Sequence, residues 1–338
     1  FTDDYNSGNY QFAPLPAPKP GEEPPEDMLQ FVRRMTHFAP AVKFASLSVT
    51  HPERYSLAHL EPLDFYYETL TFRGENGKTD LQINIGLPIA NLALKSDPDT
   101  LVVVERRVSL MGGPSSAPKT LKNRIAVPVV GGLARGGQLA TERVDLQADP
   151  GRYELALQAS RVGSDLTGVY RQPTFSLPDY SAPGLLLSDI QIAKRIVDAA
   201  NTPDSTFVRG AFDIRPWPPR TFYPTEPLFV YFEIYNLTRD EFGATRYEVS
   251  FEVQATAEKE RSILTALLPR IRRRSGEVIE VRYEQIGSER TVTDFVQLEL
   301  SEAQAGRYTL QMNVTDQVSG QSTSQKNIFR VSKPPRRR

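Results

Sequence analysis

The sequence predicts an all-β protein made of two tandem, internally duplicated immunoglobulin-like β-sandwich domains. Three observations predict it. From about residue 41 onward, apolar residues recur at every second position in short runs that Gly, Pro, Asn or Asp interrupt, the mark of half-buried strands. GRYELALQAS at 151–160 returns as GRYTLQMNVT at 306–315. A length of 338 residues suffices for two cores of ordinary size. The expected division is an extended arm, a Pro-rich linker and a short helix in 1–40, a first sandwich in 41–180, a second in 181–334 and a basic tail in 335–338.

The elements follow in order. FTDDYNSGNYQF (1–12) alternates polar and aromatic residues around Asn6-Ser7-Gly8 and reads as a hairpin or an extended arm. APLPAPKPGEEPP (13–25) is rich in proline, which fixes φ and removes amide donors, so it reads as a stiff linker. Residues 26–38 place Met28, Phe31, Val32, Met35 and Phe38 at helical spacing behind two acids, which predicts a short amphipathic helix. Strands are expected at 42–49, 63–72, 80–87, 101–110, 124–130, 139–146 and 152–160. SDIQIA (188–193) alternates after Pro and Gly and is read as a strand, and PWPPRTFYP (216–224) as an extended crossing into the second sandwich.

The repeat extends beyond the Gly-Arg-Tyr segment. LDFYYETLTF (63–72) resembles LFVYFEIYNL (228–237), which sets Tyr66, Tyr67 and Glu68 against Tyr231, Phe232 and Glu233. TDLQINIGL (79–87) resembles TRYEVSFEV (245–253). Each Gly-Arg-Tyr opening reads as a turn glycine followed by a tyrosine that packs inward with its hydroxyl at the rim, Tyr153 in one copy and Tyr308 in the other.

Composition excludes several classes. Lys+Arg 40 against Asp+Glu 41 leaves no global basic field for nucleic acid. No apolar run is long enough to cross a bilayer as a helix. With no cysteine there are no disulfides, thiolate metal sites or cysteine nucleophiles.

LLLSDIQIA (185–193), FDIRPWPPRTFYPTEPLFVYFEIYNL (212–237) and AGRYTLQMNVTD (305–316) resemble the C-terminal half of the GWxTD-domain proteins, exported bacterial proteins with no assigned activity. The segment 1–13 is more loosely similar to the end of that family's namesake domain. The Gly-Trp-x-Thr-Asp motif itself is absent, and the single tryptophan, Trp217, sits in Pro-Trp-Pro-Pro. The resemblance implies export and tandem sandwiches, and it assigns no catalytic residue.

Motifs for chemistry are sparse. His37, His51 and His59 lack the spacing of a helical metal site, and no Gly-x-Ser-x-Gly elbow occurs. GGPSSA and GGLARGG read as loops, SDPDT (96–100) and TDQVSG (315–320) as polar turns, and RIRRRS (270–275) as a solvated hairpin end. Two sequons occur, at Asn236 and Asn313. No catalytic residue, cofactor or metal is expected, and no nucleic-acid partner. The leading expectation is a structural or interaction protein outside the cytoplasm, extracellular or at the cell surface with the periplasm as alternative. It would associate with itself into a filament or tube by exchange of the arm that carries Tyr5, Tyr10 and Phe12. Thirteen linker residues in polyproline geometry would span ~40 Å at ~3.1 Å each. Two alternatives stand beside it. One is a carbohydrate- or surface-binding module in which Trp217, Phe222 and Tyr223 stack on a cell-surface glycan, and the other is an accessory region of an exported enzyme.

Overall fold

A computed structural model of the chain describes residues 61–92, 100–114, 118–129, 138–202, 205–256, 279–301 and 303–333. The expected arm, linker, helix at 26–38 and strand at 42–49 lie outside the described residues, as do the three histidines, the loop 131–137, the run 270–275 and the tail. The rest is almost entirely strand, as the period-2 pattern requires.

The first sandwich contains β1 (Glu61–Pro62), β2 (Tyr66–Arg73), β3 (Thr79–Pro88), β4 (Thr100–Gly112), β5 (Lys119–Val129), β6 (Leu139–Ala148), β7 (Gly151–Arg161) and β8 (Leu166–Leu177). Its sheets run β2-β3-β6 and β1-β8-β7-β4-β5. Leu81, Ile83, Ile85 and Leu87 of β3 meet Leu155 and Leu157 of β7 and Val104 and Val108 of β4 in one core. Burying each such side chain contributes about 1.5–3 kcal/mol. Arg106 also lies among the buried residues, and its Nη1 stands 3.3 Å from Oε2 of Glu142 on β6.

The second sandwich contains β9 (Leu186–Leu187), β10 (Gln191–Asp198), β11 (Val208–Arg209), β12 (Phe212–Pro216), β13 (Thr221–Phe222), β14 (Leu228–Tyr235), β15 (Thr245–Thr256), β16 (Ile279–Gly287), β17 (Val292–Leu298), β18 (Gly306–Asp316) and β19 (Ser322–Val331). One sheet runs β11-β12-β10-β14-β17, with β9 also on β14, and the other β13-β19-β18-β15-β16. Val230, Phe232, Phe251, Leu310, Met312 and Phe329 fill its core.

The duplication is visible in the topology. β7 and β18 are each flanked by the same kind of neighbour, β4 and β8 in one copy and β15 and β19 in the other. Each copy also has a short strand parallel to its last strand, β1 on β8 and β13 on β19. This pairing shifts the sequence alignment by one strand ahead of the Gly-Arg-Tyr segment. β14 takes the place of β3, between β6 or β17 and a further strand, and β15 takes the place of β4. β2 and β14 each send one glutamate and at least one aromatic ring toward the interdomain layer, Glu68 and Phe72 from the first and Glu233 and Tyr231 from the second.

The two Gly-Arg-Tyr tyrosines build matching corners. The Tyr153 hydroxyl donates to the Asp149 carbonyl at 2.7 Å, and the Tyr308 hydroxyl to the Gln304 carbonyl at 2.8 Å, both four residues upstream. Gly113, at φ +81°, leaves the space for the first ring, since a Cβ there would lie 2.1 Å from Tyr153 Cε1. Tyr153→Phe and Tyr308→Phe are each expected to lower stability by about 0.5–1.5 kcal/mol, the net value of one such bond. Urea denaturation measures both, and the smaller loss is expected for Tyr308, whose bond is exposed.

β8 is absent from the sequence-based expectation because LTGVYRQPTFSL lacks clean alternation. Pro173 falls where the β7–β8 register shifts, between Tyr153↔Phe175 and Leu155↔Gln172. A proline that cannot donate to the ladder is accommodated at such a bulge.

Candidate functional site at the seam between the sandwiches

A third apolar cluster joins the two halves. Leu70 and Phe72 of β2 pack against Ala193 and Ile196 of β10, Ile214 of β12 and Tyr231 of β14, with Phe212, Phe229 and Phe295 beside them. β3 and β14 are therefore buried on both faces, one toward their own core and one toward the seam.

Polar groups are threaded through this layer. Arg209 donates from Nε to Glu233 Oε1 at 2.5 Å and from Nη1 to Asp80 Oδ2 at 2.8 Å, while its guanidinium carbon lies 3.7 Å from the centre of the Phe72 ring. One side chain of the second sandwich thus clasps an acid from each half and an aromatic face of the first. Glu233 also accepts from the Tyr231 and Tyr235 hydroxyls, both at 2.7 Å. Burial works against the Arg209 charge, but Glu233 and Asp80 outweigh it and raise its pKa. Burial first, and then the Glu233 charge, push both tyrosine pKa values upward.

A second strand of polar contacts runs alongside. Arg220 Nε stands 3.2 Å from Glu68 Oε1, and Glu68 Oε2 accepts from Asn84. Gln82 donates to Gln191 across the seam at 3.2 Å. Thr71 donates from its backbone nitrogen and its hydroxyl to Asp189 Oδ2, both at 2.7 Å. Arg73 donates to the Tyr180 carbonyl and to Asn236 Oδ1. Asn236, at φ 63°, returns its amide hydrogens to the Ala182 and Gly184 carbonyls, so the nitrogen of this sequon is engaged in holding the linking stretch.

Two buried carboxyls predict how the stability of the seam should change with pH. Burial raises the pKa of Glu68 and of Asp189, against the pull of Arg220 and of the Thr71 donors respectively. A carboxyl whose folded pKa is raised binds more protons folded than unfolded, so its contribution to stability falls as pH rises from the usual 4.5 through the raised value. Glu68→Gln carries no such charge. Its stability relative to the parent chain is expected to be higher at pH 7 than at pH 4, measured by urea denaturation at each pH; the reverse order would contradict the burial cost.

Beside the clasp the two sandwiches leave a cleft of about 690 Å³, within the range of small-ligand sites. Leu139 and Thr141 of β6 form one wall, and Phe207, Pro216, Trp217, Pro227 and Phe229 most of the other. Lys194, Arg195 and Arg215 stand at its sides. The β10–β12 register shifts between Ala193↔Pro216 and Arg195↔Arg215, where Pro216 has no amide to offer. That bulge leaves the consecutive Lys194 and Arg195 both exposed among the cleft-lining residues. Lys194 Nζ lies 4.2 Å over the Trp217 ring and 3.2 Å from Glu226. Arg195 and Arg215 share the buried Asp213, at 4.0 and 3.5 Å.

The three aromatic residues named as a stacking platform do not form one. Phe222 is 0% exposed, set edge-on to Phe329 in the second core. The Trp217 indole donates to the Thr221 carbonyl at 2.8 Å and carries Lys194 over one face. Tyr223 is half-buried, and its backbone nitrogen donates to Glu226. Of the three, only Trp217 lines the cleft. Tyr5, Tyr10 and Phe12 lie outside the described residues. TDQVSG is a turn capped by Asp316, which accepts from Thr238, Val318 and Ser319. Burial would raise the Asp316 pKa, but these donors prevail and lower it.

Sequence reasoning missed Arg209, Asp80, Lys194, Arg195 and Arg215. One signal was present: a glutamate inside an apolar, aromatic strand, in YYETL and again in YFEIY, has to meet a cation if that strand is buried. No protein-family model matches the chain, and no curated protein does.

Proposed function

We propose that the chain is a structural and interaction protein of the cell exterior, which associates with copies of itself by exchange of the segment 1–12. The observation that supports this most is the seam. Two sandwiches clasped by buried ion pairs and an aromatic layer form a strut that transmits position from one end to the other. The segment 1–12 carries Phe1, Tyr5, Tyr10 and Phe12, and the proline-rich stretch 13–25 gives it reach. Exchange of such a segment builds open chains unless the rotation between copies closes. The resemblance of 185–193, 212–237 and 305–316 to exported proteins supports the location.

The test is size against concentration, by sedimentation velocity and negative-stain imaging. The full chain is compared with one in which Tyr5, Tyr10 and Phe12 are all serine. Growing assemblies of the first and monomers of the second are expected. Monomers of the full chain at every concentration would overturn the reading.

A further inference from the structure

The seam cleft carries a surplus of positive charge over an apolar floor. Arg195 and Arg215 share one carboxylate at 4.0 and 3.5 Å, and their side chains are 53% and 41% exposed. By contrast, Lys122 and Arg124 on the open edge strand β5 are held by Glu105 at 3.1 and 3.0 Å. Arg195 and Arg215 are therefore the more loosely held pair, while Lys194 already meets Glu226 at 3.2 Å, and the bulge in β10 brings Lys194 and Arg195 out side by side. An occupant must offer acidic groups and an apolar ring within a few residues.

FTDDYNSGNYQF has that composition. Asp3 and Asp4 are its only charged side chains, and they sit between Phe1 and Tyr5. We propose that the cleft receives residues 1–12 of a second copy of this chain. Asp3 and Asp4 pair with Lys194, Arg195 and Arg215, and a neighbouring aromatic ring lies on the floor between Leu139, Phe207 and Phe229. This rests on the exchange reading above and names its acceptor. Charged pairs at such a rim set orientation and partner choice, and salt weakens them.

The experiment uses the full chain and follows assembly by sedimentation velocity. One variant carries Arg195→Glu with Arg215→Glu, a second Asp3→Lys with Asp4→Lys, and a third all four changes. Each reversal alone is expected to raise the dissociation constant about tenfold or more, and the third variant to regain most of the loss. Because Arg195 and Arg215 neighbour Asp213, a fourth variant, Thr141→Trp on the opposite wall, fills the cleft without changing those charges. It too should weaken assembly.

Unchanged assembly of folded Thr141→Trp and cleft-reversal variants would overturn the inference while leaving exchange through another surface. A full chain that never assembles would overturn the exchange reading, and this inference with it. Failure of the four-change variant to recover, although folded, would remove the proposed pairing. A synthetic FTDDYNSGNYQF peptide should bind the Tyr5, Tyr10, Phe12 triple-serine chain in salt-dependent fashion. Binding of an acidic oligosaccharide in its place would also overturn the proposal.

Discussion

Glu233→Ala is expected to destabilise the chain by about 3–5 kcal/mol, the cost of breaking a buried ion pair from one side. Arg209 is 11% exposed at its side chain and would keep only Asp80. The Tyr231 and Tyr235 hydroxyls would lose their shared acceptor in a layer with little access to water. The loss falls on the seam and spares both cores, so the two sandwiches should uncouple. Denaturation of the parent chain is expected as one transition and that of the variant as two. Glu233→Gln keeps one acceptor oxygen and should cost less. A loss below about 1 kcal/mol for Glu233→Ala would mean that the clasp is a surface pair in energetic terms.

Phe222→Ala is the second large effect, again about 3–5 kcal/mol, because a fully buried aromatic ring leaves a cavity that its neighbours fill only in part. Phe222 sits at the parallel pairing of β13 with β19, against Phe329. Trp217→Ala should cost less, since the indole is half-buried, and Tyr223→Ala should stay within about 0.5 kcal/mol. Denaturation midpoints of the three variants give the ranking directly. If Tyr223→Ala cost the most, Phe222 would not be the core residue that its burial indicates.

These particulars show what was legible in the sequence. Most described strands of the first sandwich were readable because they turn alternate apolar residues to one core, as Leu81, Ile83, Ile85 and Leu87 do. The Gly-Arg-Tyr corner was readable because a local turn and one tyrosine define it. β8 was not, since Gly168 and Pro173 break its pattern and a bulge restores its pairing. The repeat alignment slipped by one strand because YYE in β2 resembles YFE in β14, although β14 occupies the place of β3. The clasp and the cleft lay beyond sequence reasoning for a different reason. Asp80, Arg209 and Glu233 come from three strands far apart in the chain, and no spacing rule joins them. Trp217, Phe222 and Tyr223 looked like one platform because they are close in sequence, whereas the start of an extended strand sends neighbouring side chains to opposite sides.

The most direct test of the central claim, that the seam makes one rigid unit of the two sandwiches, is a distance measurement. The chain has no cysteine, so Ala126→Cys on β5 and Glu284→Cys on β16, both exposed, can be spin-labelled without background. Double electron–electron resonance on dilute protein should give a single narrow distance distribution that broadens when Glu233→Ala is added. A broad or multi-peaked distribution in the parent chain would contradict the rigid seam.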